Sequence, residues 1–367
     1  MRVLIDALGA PGHPRGVGRY VHELSRALAR IADTSVLVAC GRWHRGFYAS
    51  LAAHGVELIE VELPSPGRLS RHAWHLLRLP WLARAVRADV IHVPDRALAT
   101  PPHGTALVVT IHDVAEHDLA QAYGPVQLRY RRLVLGRQLQ RAGRIVTPSR
   151  FTADRLASVE PRVRERTTVV VNGPGIDPAT PSVAPEESIR RPFLLFVGAI
   201  QRHKNAPRVT RAFRSLAERS VGLVVAGADH NDRAALEQAM AGDPRIQRLP
   251  RPSDGELVWL YGHAVGLIFP SLYEGFGLPI LEAMSFGCPV VTSDRGAPRE
   301  LAADAALLID PLDEGAIGAS MKRLLEDADL RDRLAAAGRE RVSLFSWGRA
   351  AGDTVAVYRE ALAEVRA

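Results

Sequence analysis

The sequence predicts an α/β protein made of two Rossmann-like domains, each built on a mostly parallel sheet. Three observations carry that expectation. Short runs rich in Val, Ile and Leu alternate with stretches of helical periodicity along most of the chain, as in βαβ units whose strands are buried on both faces. A length of 367 residues is enough for two separate cores. Between Gly173 and Pro192 the periodicity disappears and prolines concentrate, G-P-G-I-D-P-A-T-P-S-V-A-P-E-E-S-I-R-R-P, which marks a domain boundary. The expected division is 1–180 and 181–349.

In the first half, strands are expected at Val3 to Asp6, Ser35 to Cys40, Val56 to Val61, Val90 to Val93, Leu107 to Ile111, Ile145 to Thr147 and Thr168 to Val171. The loop A-L-G-A-P-G-H-P-R-G-V-G-R-Y after the first strand leads into a helix from Tyr20 to Ile31. It is not a dinucleotide-binding turn. Val21 stands where a third glycine is needed after Gly16 and Gly18, and the glycines lie far beyond the strand. Hydride transfer is therefore disfavoured. His112 and Asp113 follow the apolar run L-V-V-T-I directly, at a strand's carboxyl end, where α/β folds bind ligands. Ser149 is placed to cap the next helix.

The second half opens with a strand from Phe193 to Val197, then G-A-I-Q-R-H-K-N, in which Asn205 can cap a helix and Arg202 and Lys204 bring cations to the carboxyl edge. A further strand is expected within 221–227, and S-D-G-E at 253–256 fits a capping box. The organising stretch is 270–292, P-S-L-Y-E-G-F-G-L-P-I-L-E-A-M-S-F-G-C-P-V-V-T, which follows the apolar run Val265 to Phe269. Its own end, Pro289 to Thr292, supplies the next strand, and A-L-L-I-D at 306–310 completes the sheet. Gly275 and Gly277 permit close approach of backbone N–H groups, Pro279 suits a helix start and Gly287 its stop. A helix N-terminus at a sheet's carboxyl edge suits an anion. Glu274 and Glu282 frame it. A carboxylate repels phosphate, so these glutamates point to hydroxyl groups of the same ligand, and an anion with hydroxylated ends is a nucleotide sugar. Taken singly, either glutamate is also accounted for as an acid favouring a helix N-terminus.

The run P-S-x-Y-E-G-F-G-L-P-x-L-E-A-M, with its glutamates eight apart, resembles the E-x7-E signature of the retaining GT-B glycosyltransferases of family 4. The resemblance implies a GT-B fold, two Rossmann-like domains facing across a cleft, with the acceptor on the first and the donor on the second. It implies that Glu274 contacts donor sugar hydroxyls, that Glu282 holds the ribose, and that the amides of Gly275, Phe276, Gly277 and Leu278 meet the pyrophosphate and sugar. G-V-G-R-Y resembles the family's N-terminal glycine loop, placing Gly16 and Gly18 near the donor phosphates. T-I-H-D resembles the pattern in which His112 lines the reaction centre. Lys204 stands where the family has a lysine. The arginine often found just after the glycine Gly198 is Ala199 here, so either Arg202 substitutes from further along the loop or the site relies on Lys204 alone. A terminal helix, about 350–367, is expected to pack back on the first domain by the same analogy.

The implied activity is retaining transfer from a GDP-, UDP- or dTDP-linked sugar to a glycan, lipid-linked or natural-product hydroxyl, similar to mannosyl- or rhamnosyltransferases. No covalent nucleophile is evident. A sugar-nucleotide 2-epimerase and a non-catalytic nucleotide-sugar-binding module share the architecture. No cofactor or metal is expected. The D-x-D formed by Asp327 and Asp329 falls between helices, and no G-x-x-x-x-G-K-[ST] is present.

The remaining properties concern location. Cys40 and Cys288 lie in apolar runs and read as buried thiols of a reducing compartment. The chain enters a strand at once and has no apolar run of about 20 residues, so a cytoplasmic, soluble protein is expected. The net charge of +7 is uneven: eight arginines lie between Gly124 and Arg155 against one acid, Asp154. Arg71 to Arg87 mixes arginines with Trp74 and Trp81. Such a pattern suits an anionic membrane surface or an acidic acceptor, and equally a solvated helix face. No zinc-finger spacing, RNP motif or aromatic platform accompanies it, so nucleic acid is not expected as the partner.

Overall fold

The computed structural model describes residues 1–9, 16–63, 65 and 67–366. The chain divides into two units, Met1–Gly173 with Ser346–Ala367, and Pro174–Phe345. The divisions fall a few residues before the expected 180/181 and 349/350. The physical reason is packing at the joints. Gly173 lies against Trp347, whereas Gly175 lies against Glu282 and residues 181–183 lie against Gly255.

The first unit holds seven strands: β1 (Arg2–Asp6), β2 (Ser35–Gly41), β3 (Glu57–Val61), β4 (Val90–Val93), β5 (Ala106–Thr110), β6 (Arg144–Thr147) and β7 (Thr167–Val169). They pair in the order β3-β2-β1-β4-β5-β6-β7, all parallel, with Val3 opposite Val36 on one side and Val90 on the other. Successive side chains alternate faces. Val3, Ile5, Val36, Val38 and Val108 build one core with Tyr20, Leu24 and Leu28 of the Val17–Leu28 helix. Leu4, Leu37, Ile91 and Leu107 build the other with Trp74, Leu79 and Leu139.

The terminal helix Trp347–Arg366 belongs to this unit. Its buried residues Ala351, Thr354, Val355, Tyr358, Ala361 and Leu362 recur at helical spacing and all but Thr354 join the first core. Arg144 on β6 holds its far end through Glu360 at 3.4 Å and Glu364 at 2.8 Å. A polar chain runs through the same core. Tyr358 Oη meets His92 Nδ1 at 2.6 Å, His92 Nε2 meets Thr110 Oγ1 at 2.7 Å, and Thr110 Oγ1 meets Tyr20 Oη at 2.9 Å. With each polar group paired, burying them is tolerated.

The second unit has six strands, β8 (Phe193–Val197), β9 (Gly222–Ala226), β10 (Ile246–Leu249), β11 (Gly266–Phe269), β12 (Val290–Ser293) and β13 (Leu307–Ile309). Their order is β10-β9-β8-β11-β12-β13, again all parallel. The sequence gives no expectation of β10. It is an edge strand, I-Q-R-L, and only its first and last residues are buried, so it shows no apolar run. The capping box at Ser253 and Glu256 and the cap at Ser149 are both present. Asn205 does not cap with its side chain; at φ 69° it turns instead toward other loops. Cys40 and Cys288 are buried and free. Among the described residues no helix is long and apolar enough to cross a membrane.

Burial, reinforced by His112, pushes the His92 imidazole down to about 3 from its usual 6.5. The unfolded chain therefore takes up a proton near pH 6.5 that the folded one refuses, so this contribution to stability is present above pH 6.5 and is lost as pH falls toward 3. Urea unfolding from pH 6 to 4 is expected to show a slope steeper in the native sequence than in His92→Gln, by about 1.4 kcal/mol per pH unit. Equal slopes would show that His92 is not held neutral.

Candidate functional site

In the second unit, the chain runs from β8 through β9 to β10 on one side and from β11 to β13 on the other. The carboxyl ends of β8 and β11 are therefore where the strand order reverses, the place where open parallel sheets bind ligands. The loops leaving those two strands carry Gly198, Arg202, Lys204, Glu274, Gly275, Phe276 and Gly277.

Lys204 ends a short 3₁₀ turn, Arg202–Lys204. Its Nζ donates to both carboxylate oxygens of Glu274, at 2.6 and 2.8 Å, and lies 5.7 Å from the centre of the Phe269 ring. The two side chains are 18% and 10% exposed. Three contacts hold the loops in register: Leu272 N–H donates to His203 O at 2.7 Å, and the Asn205 amide donates to Pro270 O at 3.0 Å and Pro311 O at 2.7 Å. This is the work of the residue expected to cap a helix. It ties the lysine loop to the glutamate loop.

Gly277, at φ 110°, starts the Leu278–Ser285 helix, a conformation that favours glycine. Glu282 lies within this helix, 8% exposed. Its Oε2 accepts from Tyr261 Oη at 2.9 Å. Its Oε1 lies where a side chain on residue 175 would be, so Gly175 makes room for the carboxylate. Burial, with Glu282 next, raises the Tyr261 phenol well above its ordinary value and keeps it a donor. Phe276 is buried with its ring edge toward Phe345, and Gly198 leaves β8 with its N–H on Ala226 O. Arg202 is exposed, and its charge acts on Asp232; no described contact joins it to Glu274.

In the first unit, His112 follows β5. Its ring bonds the Pro94 carbonyl and leaves Nε2 buried without a partner among the described residues. Burial depresses its pKa to about 4, Arg96 adding to the effect against Asp113, so the imidazole is neutral at pH 7. Tyr20 meets it edge-on at 4.7 Å. Asp113 accepts from Ala115 N–H at 3.0 Å and Arg96 at 3.3 Å, and Arg96 also holds buried Glu116 at 2.6 Å. Asp113 is thus a loop-fixing residue. Gly16 precedes the Val17–Leu28 helix and Gly18 is buried in its first turn, while the rest of that glycine loop, 10–15, lies outside the described residues.

The basic stretches resolve into different roles. Arg131 pairs with Glu116, Arg144 with Glu360 and Glu364, and Arg155 with Asp118; Arg132 and Arg141 bond carbonyls. Much of this charge is therefore internal wiring. Trp74 is core. Leu77 at 74% and Trp81 at 65% exposure face outward, as do Val126 and Leu133 on the Pro125–Arg141 helix. Asp327 caps the Ala328–Val342 helix through Leu330 N–H at 2.8 Å, so the D-x-D is a helix start. Among the described residues no cluster of His, Cys, Asp or Glu could hold a metal ion.

Residues 183–341 match the family model described as "Glycosyl transferases group 1", and residues 14–179 match "Glycosyltransferase Family 4". The chain is 30% identical to a D-inositol 3-phosphate glycosyltransferase of Nocardioides sp., over 97% of this chain and 87% of that protein. It is 27% identical to O-antigen chain mannosyltransferase B of Escherichia coli, over 94% and 96%. Among solved structures, sucrose-phosphate synthase from Thermosynechococcus elongatus superposes with a TM-score of 0.78 at 20% identity, covering 99% of both chains. HepE of Anabaena, solved in complex with UDP and glucose, gives 0.76 at 16%, covering 97% and 98%. At such identities the likeness is one of fold, and the fold is GT-B.

Tyr261 carries no signal in the sequence, since nothing in L-V-W-L-Y-G-H points across 21 positions to Glu282. Tyr261→Phe removes a bond to a charged group and is expected to lower unfolding free energy by about 2 kcal/mol. A change below about 0.5 kcal/mol in urea would show that Glu282 is held by other means.

Proposed function

We propose that this protein, which belongs to glycosyltransferase family 4, transfers a sugar from a nucleoside-diphosphate sugar to a hydroxyl of a glycan, lipid-linked or natural-product acceptor, with retention of anomeric configuration. The observation that carries the reading is the Lys204–Glu274 pair at the β8/β11 switch point, beside the helix that bears Glu282. It offers one cation, two carboxylates and a helix start within one set of loops, the complement of a diphosphate flanked by hydroxyl groups.

The chemistry follows from that complement. The bond between the anomeric carbon and the diphosphate oxygen breaks, and the electron pair leaves with the diphosphate. The acceptor oxygen attacks the same face, and its proton passes to the departing phosphate oxygen. Lys204 meets the charge developing on the diphosphate. Glu274 accepts hydrogen bonds from sugar hydroxyls and Glu282 from the ribose. Arg202, exposed on the same turn, is available to a phosphate. His112 of the first unit, neutral at pH 7, has an Nε2 without a partner among the described residues and available to a hydroxyl group. No step requires a metal.

The mannosyltransferase relatives favour a mannosyl or deoxymannosyl donor, and the HepE complex a uridine nucleotide. Thermal unfolding with GDP-mannose, UDP-glucose and dTDP-rhamnose separates these, since the bound donor raises the midpoint by mass action. Lys204→Ala and Glu274→Ala are each expected to lower transfer by about 100-fold or more while the protein stays folded. NMR of the product reports its anomeric configuration. Wild-type turnover in both variants, or an inverted product, would sink the assignment.

A peripheral place at an anionic membrane belongs to the same reading. Its support is the outward-facing Leu77, Trp81, Val126 and Leu133 among arginines on helices of the first unit. Sedimentation with phosphatidylglycerol vesicles is expected to be salt-sensitive and weakened by Trp81→Glu. Equal, salt-independent recovery with phosphatidylcholine would reject it.

A further inference from the structure

As a tie between loops, the Lys204–Glu274 pair is redundant. The loop after β8 and the loop after β11 are already joined by Leu272 N–H donating to His203 O at 2.7 Å. The buried Asn205 amide adds bonds to Pro270 O at 3.0 Å and Pro311 O at 2.7 Å, and the residue adopts φ 69° beside the lysine turn. Opening the ion pair therefore leaves the loops in place. A half-sheltered pair also adds little to stability, since desolvation offsets most of its attraction.

The pair is nonetheless closed. Nζ donates to both carboxylate oxygens, at 2.6 and 2.8 Å, with the Phe269 ring beside it. Among the described residues neither ion has a second partner of opposite charge. The neighbouring cation, Arg202, acts on Asp232 instead. Lys204 alone neutralises Glu274, so a ligand that takes the ammonium leaves a poorly solvated carboxylate behind unless it also supplies donors to it.

We propose that Glu274 sets the preference of this site for the sugar nucleotide over the bare nucleoside diphosphate, by reclaiming Lys204 once the sugar has gone and so driving product release. The proposal rests on the transferase reading. When the sugar nucleotide binds, the ammonium turns from the carboxylate to the diphosphate, and Glu274 accepts from sugar hydroxyls. Transfer removes those hydroxyls and leaves the diphosphate with more negative charge. A lysine without a competitor would hold this product more tightly than the donor. Here the carboxylate is repelled by the product and bereft of donors, and both effects favour the closed pair.

The test is calorimetric titration of the full chain, at one ionic strength, with UDP, GDP and dTDP and with UDP-glucose, GDP-mannose and dTDP-rhamnose. The wild-type protein is expected to bind one sugar nucleotide more tightly than the matching diphosphate. Glu274→Gln keeps the shape and removes the charge; it is expected to bind that diphosphate about five-fold more tightly than the wild type does. In a Lys204→Gln background there is no ammonium to release, and the same change is expected to gain less than about two-fold. Glu274→Asp keeps the charge but draws the carboxylate back by one methylene, and is expected to gain in the same direction. Diphosphate affinity unchanged or weakened in both Glu274 variants, an equal gain with and without Lys204, or tighter wild-type binding of the diphosphate than of its sugar nucleotide overturns the proposal. Failure of the wild type to bind any of these nucleotides would instead overturn the transferase reading.

Discussion

An all-parallel sheet covered on both faces leaves little room for polar chemistry except at its carboxyl edge. In both units the strands are largely apolar and side chains fill the layers above and below. The backbone is satisfied by the strand ladders, so ionisable groups are tolerated chiefly where loops leave the sheet. That constraint places the candidate site residues of both units. Lys204 and Glu274 follow β8 and β11, and His112 follows β5. Reversal of strand order then opens the loops apart at one point in each sheet, and a crevice forms there without any special sequence.

What is legible in the sequence follows from the same constraint. Apolar runs, or in β3 an apolar pattern broken by glutamates, locate every strand but β10, and capping chemistry locates the Ser149 and Ser253 helix starts. β10 is invisible because I-Q-R-L holds only two apolar residues, and Ile246 and Leu249 are too far apart to register as a run. The site is legible where one segment carries it: Glu274, Gly277 and Glu282 share 270–292. It is illegible where partners come from distant segments. Tyr261 reaches Glu282 from another helix, and Asn205 reads as a cap because local chemistry cannot show that Pro270 and Pro311 will offer carbonyls beside it. The arginine-rich run misleads for the same reason, since its partners Glu116, Asp118 and Glu360 are remote or lie outside the run.

The terminal helix shows how strongly tertiary pairing can fix a segment far along the chain. Tyr358 reaches His92 across 266 positions, and from there the bonds pass to Thr110 and Tyr20. Tyr20 also meets the ring of His112, so the first turn of the Val17–Leu28 helix and the end of β5 are braced by one buried network. The arrangement fixes the His112 ring, and burial, the largest cause of its low pKa, keeps it a neutral hydrogen-bonding group.

On the proposed transferase reading, the Lys204–Glu274 pair asks a ligand for two chemical characters at once. Each ion neutralises the other, half sheltered from water, so neither is left desolvated and alone. A simple phosphate could draw Lys204 away only by leaving the Glu274 carboxylate unpaired beside a new negative charge. A simple sugar could offer hydroxyls to Glu274 but nothing to the ammonium. A molecule that carries a diphosphate and a hydroxylated ring on adjacent atoms replaces both halves of the pair together, and the exchange then leaves no buried charge without a partner. On the proposed transferase reading, selectivity for a nucleotide sugar over its fragments would follow from this one contact between the two loops.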